Sequence, residues 1–416
     1  MFKSFTTFHS LRLKLVAAAT SLLLASCGNG GSSAAPPTGG LTLDPGDGLV
    51  TINWAATSGV EYWLGYVAGA SVSLDFTSPH TWVLNVLPPY VLSGLANGTT
   101  YAFAVNGRTG SGPGGAQSPS VATAPRPGGV TWTAGTPTNL GAAALRSVAY
   151  GTAADATINY VAVGDGGAVF KGTDGKSWSA AATVAGVNFL SSTYTLGKFF
   201  AAGSAGQIFY STNMSAWTLA TSGFTNTTNV NGLASNGSTV VAVGDNGTIR
   251  TSTDGITWIA ATTVPAGGNL NAVSYAPGGV WIAVGDGGRI LTSADGSVWV
   301  SRTSTTAANL KAIATQTTSV NTYVVVGAGG SVAKSTDAIT WTSATVAPAV
   351  DLAAVVVPST NSQFLAVGAG GAAYTSPDAI TWTARTTGTL ANLWALITAQ
   401  VQYVTVGDGG VNFNSH

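Results

Sequence analysis

From Gly128 onward the sequence states nearly the same phrase seven times. Residues 284–299, VGDGGRILTSADGSVW, contain a glycine turn, a short aliphatic run, a polar turn and a Trp. Tryptophans recur at 178, 217, 258, 299, 341 and 382, and the first turn glycines at 164, 203, 244, 285, 327, 368 and 407; both series are spaced 39 to 42 residues apart. No single copy can bury its own apolar face. A period near 40 with several short strands per copy therefore predicts a β-propeller, a ring of small antiparallel sheets. In one copy, 270–276 and 280–285 read as the first two strands and Asp286-Gly287 as a two-residue hairpin turn needing positive φ. Residues 288–293 then read as the third strand, 294–296 as a turn and 298–303 as the outer strand. There are seven glycine turns but six polar turns that lead into a Trp. A seventh would begin where the chain stops, at Asn414, and an orphan strand, 129–133 with Trp132, precedes the first copy. The expectation is a closed seven-bladed ring over 128–416, its last blade completed by that orphan, because an open spiral would leave two exposed edges.

In the polar turns Asp174, Asp254, Asp295, Asp337 and Asp378, with Asn213 in the remaining copy, are expected to cap their own turn through a side-chain oxygen. The run Ser/Thr-x-Asp-Gly-x-Thr/Ser-Trp resembles the Asp-box, or BNR, repeat, one residue shorter than usual. The whole unit is similar to the BNR-like propellers of the photosystem II stability/assembly factor family. That family uses an arginine patch, and no dense patch exists here, so the role is not carried over. The sialidase-like branch of the same superfamily raises a glycoside hydrolase as the alternative function.

Residues 41–127 have a different texture. Leu49 to Trp54 alternates as a half-buried strand, 60–67 reads as another, and Leu95-Ala-Asn-Gly-Thr-Thr-Tyr101 leads into a further strand at 102–106. This resembles a fibronectin type III domain, with its Trp on the second strand and a Tyr corner whose hydroxyl returns to the backbone. Together the two parts define an all-β chain: a fibronectin type III sandwich followed by a closed seven-bladed β-propeller. The string Gly110-x-Gly112-x-x-Gly115 opens no helix and carries no dinucleotide-binding meaning.

Only 7% of residues are charged and the net charge is zero. A nucleic-acid ligand needs a basic stripe, so none is expected. At the N-terminus Lys3, Arg12 and Lys14 precede an apolar run, 15–24, too short to span a bilayer but long enough for a signal-peptide core. It ends in Leu24-Ala25-Ser26-Cys27, which resembles a bacterial lipobox. The resemblance implies cleavage after residue 26, diacylglycerol on Cys27 and a membrane anchor, with 27–40 as a flexible tether averaging roughly 20 Å. Cys27 is the single Cys, so no intrachain disulfide forms. Gly28, not Asp, follows it, which points to the outer membrane, periplasmic or surface-facing. The chain is expected to act as a monomer.

For catalysis, sialidase-like chemistry needs paired carboxylates, yet 128–416 contains no Glu; Glu61 lies in the other unit. The only His in that stretch is His416, so the usual zinc and Cys/His systems have no ligands there. No catalytic residue, metal or cofactor is expected. Most ring Asp residues belong to turns, Asp165, Asp245, Asp286 and Asp408 to the glycine turns, which they are expected merely to shape; Asp155 and Asp351 are the exceptions. One position at the start of each innermost strand breaks the repeat: Arg146, Leu190, Asn231, Asn271, Lys311, Ala353 and Trp394, with Asp351 two residues ahead of Ala353. Arg146, Asn231, Asn271, Lys311, Asp351 and Trp394 are thus candidates for a rim that binds a protein or glycan partner. Trp394 would stack on an apolar or sugar face, and the two cations would meet an acidic group. A purely structural surface role is the remaining alternative.

The anchor is directly testable. Growth with a radioactive fatty acid should label the wild-type chain and leave Cys27→Ser unlabelled; an unlabelled wild type would remove the anchor.

Overall fold

The computed structural model describes residues 33–415 apart from 76, 111–113, 277, 318–320, 358–362 and 400–401. The signal segment, Cys27 and the centre of the glycine string at 111–113 lie outside the described residues.

Residues 145–415 form seven consecutive antiparallel sheets, called blades 1 to 7 here. Blade 4 runs Leu270–Ala276, Val280–Gly285, Ile290–Ser293 and Val300–Arg302, in sequence order across the sheet. Each innermost strand packs against that of the next blade, and the seventh packs against the first. No single sheet closes on itself; the ring consists of separate sheets joined by side-chain packing. The seventh takes its fourth strand from the segment just ahead of blade 1: Thr133–Asn139 pairs antiparallel with Val411–Ser415, Thr133 opposite Asn414 and Ala134 opposite Phe413. This strand lies just after the expected 129–133. Gly129 instead donates its N–H to Ser415 Oγ, and Trp132 packs among Leu365 of blade 6 and Tyr403 of blade 7. Tyr160 of blade 1 donates to the Ala399 carbonyl of blade 7 and accepts from Gln402 Nε2, both at 3.0 Å. Burial pushes its phenol up to about 12.

The turn tryptophans fill the gaps between blades. Trp299 of blade 4, 1% exposed, sits with Val241 and Val243 of blade 3, and Trp341 of blade 5 with Ile282 and Val284 of blade 4. Flat, large side chains suit the wedge between two twisted sheets, and each buries 150–250 Å² or so of apolar surface. The polar turn ahead of each Trp is held by one oxygen. Asp254 Oδ1 accepts from Ile256 N at 2.7 Å, Thr257 N at 2.9 Å and Ser252 Oγ at 2.9 Å. Asp174, Asp295, Asp337 and Asp378 accept in the same way, and Asn213 replaces them in blade 2 with bonds of 3.0 and 3.3 Å.

The glycine turn is one residue longer than the expected two-residue hairpin. It is one turn of 3-10 helix, Asp286–Gly288 in blade 4, with positive φ at Gly287 and Gly288 and none at Asp286. A Cβ on Gly288 would run into the Thr306 carbonyl, and one on Gly285 into that of Asn269. The two outer glycines are therefore needed for close approach, whereas the middle slot also takes Ala205 and Asn246.

Residues 41–125 form a sandwich. One sheet contains Thr42–Gly46, Leu49–Asn53 and Tyr90–Ser93; the other contains Glu61–Ala68, Thr81–Val86, Tyr101–Arg108 and Val121–Thr123. Trp54, Tyr62, Leu64, Phe103 and Val105 fill the space between them. Ala96 N–H donates to Tyr101 Oη at 3.1 Å, pinning the corner. The long segment after Ala68 lays Val72 and Leu74 over the second sheet's outer face, against Ala102 and Ala104. Part of the stretch read as tether is ordered here: Ser33–Ala34 pairs with Gly107 and Arg108. Asp44 of the sandwich meets Lys176 of blade 1 at 2.8 Å.

Backbone N–H bonds from Thr340 and Ile339 hold the Asp337 carboxyl down at about 2, and Thr381 and Ile380 do the same for Asp378. An unfolded Asp titrates near 4. The folded value is the lower one, so this stabilisation is complete above about pH 4 and is lost as pH falls through about 2. Thermal melts followed by circular dichroism should show Tm falling over that window, and Asp337→Asn/Asp378→Asn should flatten the fall while lowering Tm at pH 7, since the neutral amide keeps the turn, as Asn213 does, but lacks the charge.

Candidate functional site

Each innermost strand starts with a fully buried apolar residue: Leu145, Phe189, Val230, Leu270, Leu310, Leu352 and Leu393 are all 0% exposed. The next residue has no partner across the ladder. The pairing skips from Leu145 to Ser147 in blade 1, from Leu270 to Ala272 in blade 4 and from Leu393 to Ala395 in blade 7, with the same skip in the other four blades. The skipped residues are Arg146, Leu190, Asn231, Asn271, Lys311, Ala353 and Trp394. They are the seven positions at which the repeats disagree. A bulge adds one residue to one strand, bends it and re-aims the extra side chain. Here it turns seven side chains towards the ring axis.

These side chains, with Asp351 and Asn392, line one vestibule of about 440 Å³. A second space of about 250 Å³ is lined by the same rim residues and by those that follow them on the strands, including Ser147, Ser191, Gly232 and Ile313. The structure thus brings all six candidate rim residues together. Asp155 lies elsewhere, in a cleft with Lys171 and Trp178, where its Oδ1 accepts from Thr157 N.

The glycine-turn acids do more than shape the turn, contrary to the expectation from sequence. Asp165 takes Arg146 through two bonds, Nε to Oδ1 at 3.2 Å and Nη2 to Oδ2 at 2.9 Å. Asp245 accepts from Asn231 Nδ2 at 3.0 Å, and Asp286 from Asn271 Nδ2 at 2.9 Å. Asp408 accepts from Trp394 Nε1 on one oxygen and Asn392 Nδ2 on the other. Each acid therefore orients the bulged residue of its own blade. The Arg146 guanidinium also lies 4.7 Å from the Trp394 ring centroid, so blades 1 and 7 share one stacked unit. In blade 5 Ala328 occupies the acid's slot, and Lys311 has no hydrogen-bond or ion-pair partner among the described residues.

A second set of residues went unread in the sequence. Two positions before the bulge stand Asn188, Asn229, Asn269, Asn309 and Asn392, with Asp351 in blade 6 and Ala144 in blade 1. Five of these side chains accept a backbone N–H from the preceding blade's glycine turn: Gly166 to Asn188, Asn246 to Asn269, Gly287 to Asn309, Gly329 to Asp351 and Gly370 to Asn392, at 2.7 to 2.9 Å. The signal was present, as an Asn at a fixed offset in five of seven copies. Asp351 is thus both a vestibule wall and an inter-blade staple. Arg250 and Arg289 take no part in the rim: Arg250 lies over the Phe224 ring, and Arg289 binds the carbonyls of Pro265 and Gly268. Among the described residues no group of three or more His, Cys, Asp or Glu is placed to hold a metal ion.

No family model and no curated protein sequence matches the chain. Solved structures do. A structure titled "YCF48 bound to D1 peptide" has a TM-score of 0.55 at 17% identity, covering 68% of this chain and 96% of its own. YCF48 from Cyanidioschyzon merolae has a TM-score of 0.54 at 18% identity, covering 68% and 98%. A virginiamycin B lyase from Staphylococcus aureus, as the selenomethionine-substituted protein, has a TM-score of 0.57 at 11% identity, covering 68% and 97%. At these identities the likeness defines the fold alone: the repeat region is a β-propeller, in an all-β chain.

Replacing the staple at Asn309 by Ala leaves Gly287 N–H to water. Chemical denaturation should show a loss of about 0.5–1.5 kcal/mol; no loss would mean that the staple carries no stability.

Proposed function

We propose that this chain is a non-catalytic, lipid-anchored envelope protein: a fibronectin type III-like spacer carries a closed seven-bladed propeller that binds a protein or glycan partner at its vestibule. The observation that carries the reading is the coincidence of three properties at the same seven residues. They vary where the repeats otherwise agree, they are the bulged residues, and they line one cavity. A cavity of this size lies in the range typical of ligand sites, about 300–1,000 Å³. The fold neighbour solved with a peptide bound supports use of such a propeller as a binding scaffold. A neighbour named as a lyase keeps an enzyme as the rival. Against it stands the shortage of acids at the vestibule: among the described residues Asp351 is the one carboxylate in its lining, whereas general acid–base hydrolysis of a glycoside uses a pair.

Incubating the purified chain with envelope extract should retain a partner that Arg146→Ala/Lys311→Ala/Trp394→Ala no longer retains. Unchanged retention would eliminate the vestibule as the contact surface. Turnover of a sialic-acid substrate that persisted through purification and vanished in Asp351→Ala would replace binding by catalysis.

A further inference from the structure

The hydrogen bonds around the vestibule determine which of its polar atoms remain for a ligand. Asn231 Nδ2 donates to Asp245 Oδ1 and to the Leu270 carbonyl; Asn271 Nδ2 donates to Asp286 Oδ1 and to the Leu310 carbonyl. Both partners of each amide are pure acceptors, so the nitrogen must face them and both its hydrogens are used. Each Oδ1 is left as an acceptor with no partner among the described residues. In blade 6 Asp351 Oδ1 takes Gly329 N–H and leaves Oδ2. Between them, in blade 5, stands the ammonium of Lys311, unpaired among the described residues. Four successive blades therefore present acceptor, acceptor, donor, acceptor.

The remaining arc is of another kind. Blade 2 contributes Leu190 and blade 7 contributes Trp394, whose indole is fixed by Asp408 and backed by Arg146. Arg146 is already satisfied by Asp165 on two of its nitrogens. An anionic ligand would meet one cation without a partner among the described residues, Lys311, against the Asp351 carboxylate in the lining, with Asp165, Asp245, Asp286 and Asp408 bonded to the rim side chains around it. A cationic one would lie beside Lys311, in the middle of the arc. What suits both arcs is a neutral molecule that donates and accepts along one edge and offers C–H groups on one face.

We infer, resting on the vestibule as the binding site, that its occupant is a neutral pyranose sugar, the terminal residue of an uncharged glycan, with hydroxyls on Asn231, Asn271, Lys311 and Asp351 and its apolar face on Trp394. The acidic group expected from the two cations is thereby replaced by hydroxyls.

The test uses the full chain in a sugar-free detergent. Titrations with methyl glucoside, galactoside, mannoside and N-acetylglucosaminide, with glucuronic acid, and with acidic and basic peptide libraries are followed by calorimetry. At least one neutral pyranoside should bind saturably, with affinity nearly unchanged between 50 and 500 mM salt, roughly the insensitivity expected of an uncharged ligand. Trp394→Ala should weaken it about tenfold or more. Because that change also frees Asp408, Lys311→Met serves as the second variant; Lys311 holds nothing in the fold, and its loss should weaken sugar binding by a similar factor with Tm unchanged. Absence of binding to every neutral sugar overturns the inference. Peptide or glucuronate binding that is steeply salt-dependent and lost in these variants also overturns it, yet leaves the vestibule as the binding site. Sugar binding indifferent to both variants overturns the vestibule itself.

Discussion

Everything in the repeat region depends on one antiparallel pairing, between Thr133–Asn139 and Val411–Ser415. Without it blade 7 has three strands, and the wedge between blades 6 and 7 loses Trp132. The packing of the seventh innermost strand on the first then loses its outer support, and the axis shared by the seven bulged residues is less firmly held. Short-range turn chemistry builds each blade, but only this long-range register makes one cavity out of seven separate strand starts. The Tyr160–Gln402–Ala399 bonds lie at the junction of blades 7 and 1 and add polar groups to that seam.

Within the ring, packing and polar contacts are divided by position. Tryptophans and β-branched side chains fill the radial gaps, where water is excluded. The Asp turns lie at one end of the blades and the glycine turns at the other, beside the vestibule. The same residue type does different work at the two ends. Asp254 and its equivalents bind backbone N–H groups of their own turn, whereas Asp245 and its equivalents reach a neighbouring side chain. The difference follows from the local backbone. The first turn curls its own amides towards the carboxylate; the second is a 3-10 turn whose acid stands beside the bulge.

Much of this was legible in the sequence because the repeat supplies seven readings of one unit. The blade 4 strands begin and end within two residues of the expected bounds, since glycines and Asp turns punctuate them. The position of the rim residues was also legible, because Arg146, Asn271 and Trp394 occupy one slot in otherwise agreeing copies. The bulge was not, since a register skip depends on the partner strand and leaves no local residue signature. Nor was the pairing of Asp165 with Arg146 legible, because 19 residues separate them and only the folded hairpin brings them together. The 3-10 turn was read one residue short for a related reason: Gly288 is demanded by the nearby Thr306 carbonyl, a contact outside the hairpin.

The bulged residue has a consequence for how such a chain can change over time. It takes no rung of the ladder and fills no inter-blade wedge, so where it makes no polar contact of its own, as at Leu190 and Ala353, its identity is nearly decoupled from the stability of its blade. Lysine, alanine and tryptophan already occupy equivalent slots in one molecule. Seven such slots around one axis amount to an interchangeable face on a fixed frame, on which point mutation can redraw selectivity blade by blade while the architecture stays as it is.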